Sequence, residues 1–319
     1  MPTHKKTFVF LYLFLVLSSL FMPAGSTPSA SASAEKGICN GPDMMTILVL
    51  GTDNRTWGYS YGLSDTIMVF RIDFQTPRVT VLGLPRDLWV EIPGIEDDLG
   101  ITHGKLNMAY LYGTEDMGYV NEPGGGAGSV KATLARNWDL EIDHTFVVNM
   151  QIFKEIIDAI GGIEVFNPAP VYSHHKPKNP KVKEGGYLFD GKDAQLYARW
   201  RASKNVLDRV DRQAILLDAI LKKAFDPRVI PRIPRLLATF KGNVLTDLHL
   251  AQISQLLCLA SKLDEDDIVY TRIPKDDLVV GNMYFDPFEN YVFCWLEKEE
   301  GTIQEIMTQF QKGEYPREE

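Results

Sequence analysis

The chain has 319 residues, 45% of them apolar, which is enough for one large domain or two small ones with a sizeable core. Its formal net charge of −9 excludes broad nucleic-acid binding, where basic surface supplies most of the affinity. An anion site on so acidic a body has to be a local basic cluster.

The N-terminus reads as an export segment. His4, Lys5 and Lys6 give a basic start, Thr7 to Ala24 is an uncharged apolar run, and a Ser/Thr/Ala/Pro stretch with small-x-small patterns follows. The run is slightly long for a signal core and slightly short for a spanning helix of about 20 residues. A cleaved signal peptide and a retained single-pass membrane anchor both stay open for residues 1–34. Three cysteines occur, without C-x-x-C or metal-ligand spacing. In an oxidising compartment Cys39 could pair with Cys258 or Cys294, and Cys258 could equally be a buried thiol.

Met44 to Leu50 is a compact apolar run, predicted as a buried strand. Strands are predicted at Thr66 to Ile72 and Arg78 to Leu84, paired as a hairpin across the turn-like Asp73 to Pro77. Leu88 to Ile92 extends further. Helical patterns follow near Leu106 to Tyr112 and at Ser129 to Trp138, separated by a Pro-Gly-Gly-Gly loop. The middle alternates between a strand at Thr145 to Asn149, an amphipathic helix at Gln151 to Ile160 stopped by Gly161-Gly162, and a strand at Ile163 to Phe166. Val171 to Gly186 is basic and proline-bearing and is predicted as an exposed loop. Helices are predicted at Gly191 to Trp200, Asp208 to Phe225 and Leu248 to Leu263. A strand at Ile268 to Ile273 and a helix at Thr302 to Phe310 complete the chain. Strands interleaved with helices, with no long polar linker after residue 36, predict one α/β domain over residues 42–312, a central mixed β-sheet flanked by helices.

Acidic residues mark strand ends. Asp53 follows the first strand and Asp65 precedes the second, so antiparallel pairing would bring both carboxylates to one rim. Such a pair suits a hard divalent ion, although on spacing alone the two read as turn and strand caps. Basic residues gather at Arg199, Arg201, Lys204, Arg209 and Arg212, with Gln213 sharing a helical face with Arg209. Guanidinium groups converging from two elements suit a pyrophosphate, and an ordinary solvated face balanced by Asp208 and Asp211 is the alternative. Arg86 stands after a strand beside Asp87. The glycines at 124–126 and 128 lack the Gly-Lys-Ser/Thr of a P-loop, and His174-His175 lie in a Lys/Pro loop that could meet an anionic polymer or a lipid headgroup.

Taken in order, these pieces resemble the LytR-CpsA-Psr family of cell-envelope proteins. The matching segments are Gly51-Thr52-Asp53-Asn54-Arg55, Ser64-Asp65-Thr66, Leu84-Pro85-Arg86-Asp87 and Lys105-Leu106-Asn107-Met108-Ala109-Tyr110. Gly161-Gly162, Asp190-Gly191, the run Ala194 to Arg201, and Arg209-Val210-Asp211-Arg212-Gln213 continue the series. The resemblance implies an apolar pocket for a polyprenyl chain and a charged mouth for its pyrophosphate. It implies Mg²⁺ on Asp53 and Asp65, which with Arg86, Arg199 and Arg201 would form the catalytic set. Arg55, Lys105, Arg209, Arg212 and Gln213 would bind or orient the substrate. The implied activity is an extracytoplasmic phosphotransferase moving a polyprenyl-pyrophosphate-linked glycopolymer onto peptidoglycan at the membrane. A polyprenyl-pyrophosphate hydrolase and a non-catalytic lipid-binding regulator are the alternatives. Asp53, Asp65 and Asp87 are candidate general bases. The link from Ala202 to Asp208 departs from the family pattern, with Lys204 and Val206 where carboxylates would be expected.

Overall fold

A computed structural model describes residues 37–54, 58–173, 176–200, 209–224, 226, 228–229, 243–281, 284–286 and 290–314. These belong to one compact unit, Lys36–Glu319. The apolar run of the N-terminus, Arg55, Arg201 and the link from Ala202 to Asp208 lie outside the described residues.

The sheet has six strands: β1 (Met44–Thr52), β2 (Ser64–Asp73), β3 (Arg78–Leu84), β4 (His144–Asn149), β5 (Leu245–Thr246) and β6 (Ile268–Arg272). Their spatial order is β5-β4-β1-β2-β3-β6. β1, β2 and β3 are antiparallel neighbours, while β4 joins β1 and β6 joins β3 in parallel, so the sheet is mixed. The β2–β3 hairpin forms as predicted. At its turn the Asp73 carboxylate accepts from the amides of Gln75 and Thr76 at 2.9 and 2.8 Å.

Strand alternation divides the apolar residues between two faces. Leu48, Leu50, Ile67, Val69, Leu82 and Leu84 pack against helices α1 (Leu106–Tyr112) and α2 (Gly125–Trp138), with residues of the C-terminal helix Thr302–Lys312 in the same core. Helix α2 begins four residues before its expected start because the glycines serve packing. A Cβ on Gly126 would stand 2.7 Å from the carbonyl oxygen of Tyr110, so only glycine lets the two helices approach this closely.

A second core lies beside the sheet. There α3 (Met150–Ala159), α4 (Gly191–Arg199) and α5 (Arg209–Ala224) enclose Ile157, Ile163, Val165, Tyr197, Leu216 and Ala219. Asn149 caps α3 by accepting from the amides of Gln151 and Ile152 at 3.0 and 2.9 Å. Asp190 caps α4 at the amide of Asp193, 2.8 Å away. The expected loop at Val171 to Gly186 is largely extended instead. Val171–Ser173 pairs with Lys176–Val182, and Gly185–Phe189 pairs with Ile163–Asn167. Two-stranded ladders leave edges open, and an edge tolerates the prolines that suggested a loop. Helix α6 (Leu250–Ala260) covers part of the other sheet face near Met45, Ile72 and Phe74. It carries Cys258, which is bonded to Cys39, while Cys294 is a buried free thiol. The C-terminal helix is α7.

Candidate functional site

The site forms where the C-terminal end of β1 meets the start of β2. The pairing shifts register at Gly51/Thr52, and the chain leaves the ladder there. The amides of Asp53 and Asp65 both donate to the carbonyl of Leu63, at 3.0 and 3.1 Å, so the two acidic residues flank a single peptide group. Asp53 Oδ1 also accepts from the Leu63 amide at 2.8 Å, which fixes that carboxylate at the rim.

Asp65 is the centre of the cluster and is only 8% exposed. Its Oδ1 accepts from Arg86 Nη1, and its Oδ2 accepts from Arg209 Nη2 at 2.9 Å. Arg86 comes from the link after β3 and Arg209 from the first residue of α5, so three separate elements meet on one carboxylate. Burial pushes the Asp65 carboxyl up, but the opposing charges of Arg209 and Arg86 outweigh it and hold the group below the usual carboxylate range. Burial alone would lower Arg86, whereas Asp65 and Asp87 drive it above the usual guanidinium range. Asp87 extends the network by accepting from Arg86 Nε at 3.2 Å and pairing with Lys105 Nζ at 3.4 Å.

Helix α1 closes the inner side. The amides of Leu106 and Asn107 donate to the carbonyls of Leu88 and Arg86 at 2.8 and 3.0 Å. The Asn107 side chain lies 3.5 Å from Asp65 Oδ1, and its own Oδ1 is buried without a hydrogen-bond partner. The sequence placed Asn107 in a matching segment and gave it no role. A buried polar residue in an otherwise apolar helix was the available signal.

The remaining candidates divide. Gln213 is held at the cluster by donating to Thr66 Oγ1 at 2.8 Å. Arg199 is half-buried at the end of α4. Arg212 is 1% exposed and turns inward, donating from Nε to the Tyr197 carbonyl at 3.0 Å and from Nη2 to the Trp200 carbonyl. It satisfies carbonyls at the end of α4 and ties that end to the first turn of α5. Arg55 and Arg201 fall outside the described residues.

No group of three or more His, Cys, Asp or Glu side chains is placed to hold a metal among the described residues. Asp53 and Asp65, which share the Leu63 peptide, and the unpartnered oxygen of Asn107 beside Asp65 are all hard oxygen donors, with both Asp65 oxygens already meeting arginines. This set fits an ion such as Mg²⁺ that keeps waters and takes substrate phosphate oxygens as its other ligands.

Beside the cluster, α5 crosses the sheet closely enough that a Cβ on Gly83 would lie 2.9 Å from Val210 Cγ1. A groove there is lined by Met68, Val81, Val210, Ala214 and Tyr270. It continues into a cavity of about 350 Å³ bounded by Phe166, Ile215 and Ala219. The ion-paired Asp211 and Arg272 share the groove with these apolar side chains, and Glu164 and Asp218 border the cavity.

The family model described as LytR_cpsA_psr matches residues 23–298. The chain is 34% identical over 217 residues to a polyisoprenyl-teichoic acid–peptidoglycan teichoic acid transferase TagU from Oceanobacillus iheyensis, covering 67% of this chain and 62% of that protein. It thus spans less than two thirds of that relative's length. A TagU of the same description from Halalkalibacterium halodurans is 31% identical over 254 residues, covering 74% of this chain and 76% of that one. In fold, the chain is similar to the crystal structure of B. subtilis TagV, with a TM-score of 0.63 at 22% identity over 86% of this chain and 98% of the other. The ordered motifs, the mixed sheet and the match over most of its length agree: the chain belongs to the LytR-CpsA-Psr family.

Proposed function

We propose that this protein transfers a glycopolymer from a polyprenyl-pyrophosphate carrier to peptidoglycan, forming a phosphodiester, in the cell envelope. The observation that carries the reading is the Asp65 carboxylate gripped by Arg86 and Arg209, with a partly apolar groove beside Val210, the next residue of α5. An amphiphilic pyrophosphate needs that combination of fixed cations beside a channel for its tail. The names of the TagU relatives give the same donor and acceptor classes. The Cys39–Cys258 disulfide supports an oxidising, extracytoplasmic compartment.

The chain's residues then divide the work. Asp65 fixes Arg86 and Arg209 in place, so that their positive charge stabilises phosphate oxygens without reorganising when charge builds there. Lys105 and Arg199 add positive charge. An acceptor hydroxyl oxygen attacks the glycan-side phosphorus, and a new P–O bond forms as the bond to the bridging oxygen breaks. Polyprenyl phosphate leaves with that oxygen. Asp65 is a poor candidate for the hydroxyl proton because two arginines depress its basicity, which leaves Asp53 and Asp87. Mg²⁺ held by Asp53 and Asp65 would neutralise phosphoryl charge.

The full chain is to be incubated with a polyprenyl-pyrophosphoryl glycan, Mg²⁺ and peptidoglycan fragments, and the products weighed by mass spectrometry. Glycan joined to a fragment through phosphate is the expected product, and its formation should fall with chelation. Free glycan phosphate alone would instead make water the acceptor, and intact bound lipid would make the protein a binding module.

A further inference from the structure

Residues 163–173 and 176–189 form two short antiparallel ladders that the proposed reaction does not use. Their inner face is committed to the second core, where Ile163, Val165 and Phe189 are buried. Their outer face is open: Phe166 is 65% exposed and Leu188 67%. Phe166 stands opposite Gly186 in its ladder, so no cross-strand side chain covers it. Scattered exposed apolar residues are ordinary, but these two lie on paired strands of one ladder, with Glu164 opposite Leu188, and form a small patch. On a chain of net charge −9, the same segments expose Lys178, Lys181 and Lys183 against Glu164 and Glu184. Phe166 and Glu164 are also the lip of the cavity of about 350 Å³ beside α5.

A groove between helix and sheet can receive a lipid tail only where it opens toward the bilayer. Apolar side chains flanked by lysines are the composition of surfaces that lie in a membrane interface. We infer that residues 163–167 and 178–189 are the surface by which this domain rests on an anionic lipid bilayer. Phe166 and Leu188 enter the interface and Lys178, Lys181 and Lys183 meet lipid phosphates. The lysines alone would suit an anionic glycopolymer equally well. Phe166 and Leu188 favour the bilayer, because a hydrated polymer offers them no apolar phase. The inference builds on the proposed carrier-lipid donor, whose tail the adjoining groove would take up.

The test places an environment-sensitive dye on the full-length protein at Leu188→Cys and, as a control, at Leu250→Cys, a position 80% exposed on α6. Vesicles of phosphatidylglycerol should shift the dye at 188 to the blue, and brominated acyl chains should quench it, with neither effect at 250. Replacing Lys178, Lys181 and Lys183 by Gln should raise the lipid concentration for half-maximal shift about fivefold per lysine, and added salt should act the same way. No shift at 188, an equal shift at 250, or lysine-dependent binding of soluble polyphosphate without a shift overturns the inference. A turnover assay separates it from the transferase proposal. Leu188→Ser should slow reaction with a vesicle-embedded donor and spare a detergent-soluble short-chain donor. Equal rates on both count against the membrane surface. Absence of turnover on both counts against the transferase and leaves the dye result to decide alone.

Discussion

Asp65 does its work through a charge balance that can be measured. Its folded pKa is depressed, so it stabilises the fold above the ordinary carboxylate pKa of about 3.9, and that stability is lost as pH falls through the lowered folded value. Denaturant titrations of Asp65→Asn should therefore be flatter with pH in the acid range than those of the parent. Arg86→Ala removes one of two cations from a buried carboxylate and should cost about 1–3 kcal/mol of stability. Its turnover should fall by a factor of about 10² or more, read under conditions where circular dichroism shows the fold intact. The placing of Asp53, Asp65 and Arg86 at strand ends was legible, because a polar residue bordering an apolar run is conspicuous. The inward turn of Arg212 was not. Its spacing of three from Arg209 fits a shared helix flank, and only the packing of α4 against α5 decides that its guanidinium meets carbonyls.

At the scale of elements, contacts too close for a side chain carry the assembly. A Cβ on Gly191 would stand 2.2 Å from the carbonyl oxygen of Lys154, so Gly191→Ala should force α3 and α4 apart. Arg212→Leu should unfasten α4 from α5 and cost about 2–4 kcal/mol, because several buried carbonyl bonds are lost together. Thermal melts would rank both below Asn149→Ala, whose helix cap is worth about 1 kcal/mol. The helices and central strands were readable because their periods of 3.6 and 2 survive in a single sequence. The parallel pairings of β4 with β1 and β6 with β3 were not, since nothing local distinguishes a buried strand's neighbour. The ladder at residues 171–189 was obscured by Pro177 and Pro180, which signal a loop unless the strand is an edge.

Over the whole molecule, the Cys39–Cys258 bond closes a covalent loop with a sequence separation of 219. Reducing it should lower stability by about 2–5 kcal/mol, read as a drop in melting temperature with reductant. The buried thiol of Cys294 gives no second cross-link, so Cys39→Ser/Cys258→Ser should match the reduced parent. The sequence narrowed Cys39 to two partners and could go no further. The choice follows from the packing of the segment at residues 38–40 against α6, where the Gln255 side chain donates to the Asn40 carbonyl at 2.8 Å.

The same bond sets the route of mechanical load. A pull between the two ends of the chain would enter at Cys39, cross the sulfurs and leave at Cys258, without drawing out the backbone between them. Asp53, Asp65, Arg86, Arg199 and Arg209 all lie in that bypassed stretch. In a force-extension experiment the oxidised protein should lengthen only by its flanking segments. After reduction, rupture should release the enclosed residues at about 3.3–3.6 Å each. Tension on the leading segment would therefore reach α6 before it reached β1, and the rim that carries Asp53 and Asp65 would stay unstretched while the rest of the chain yields.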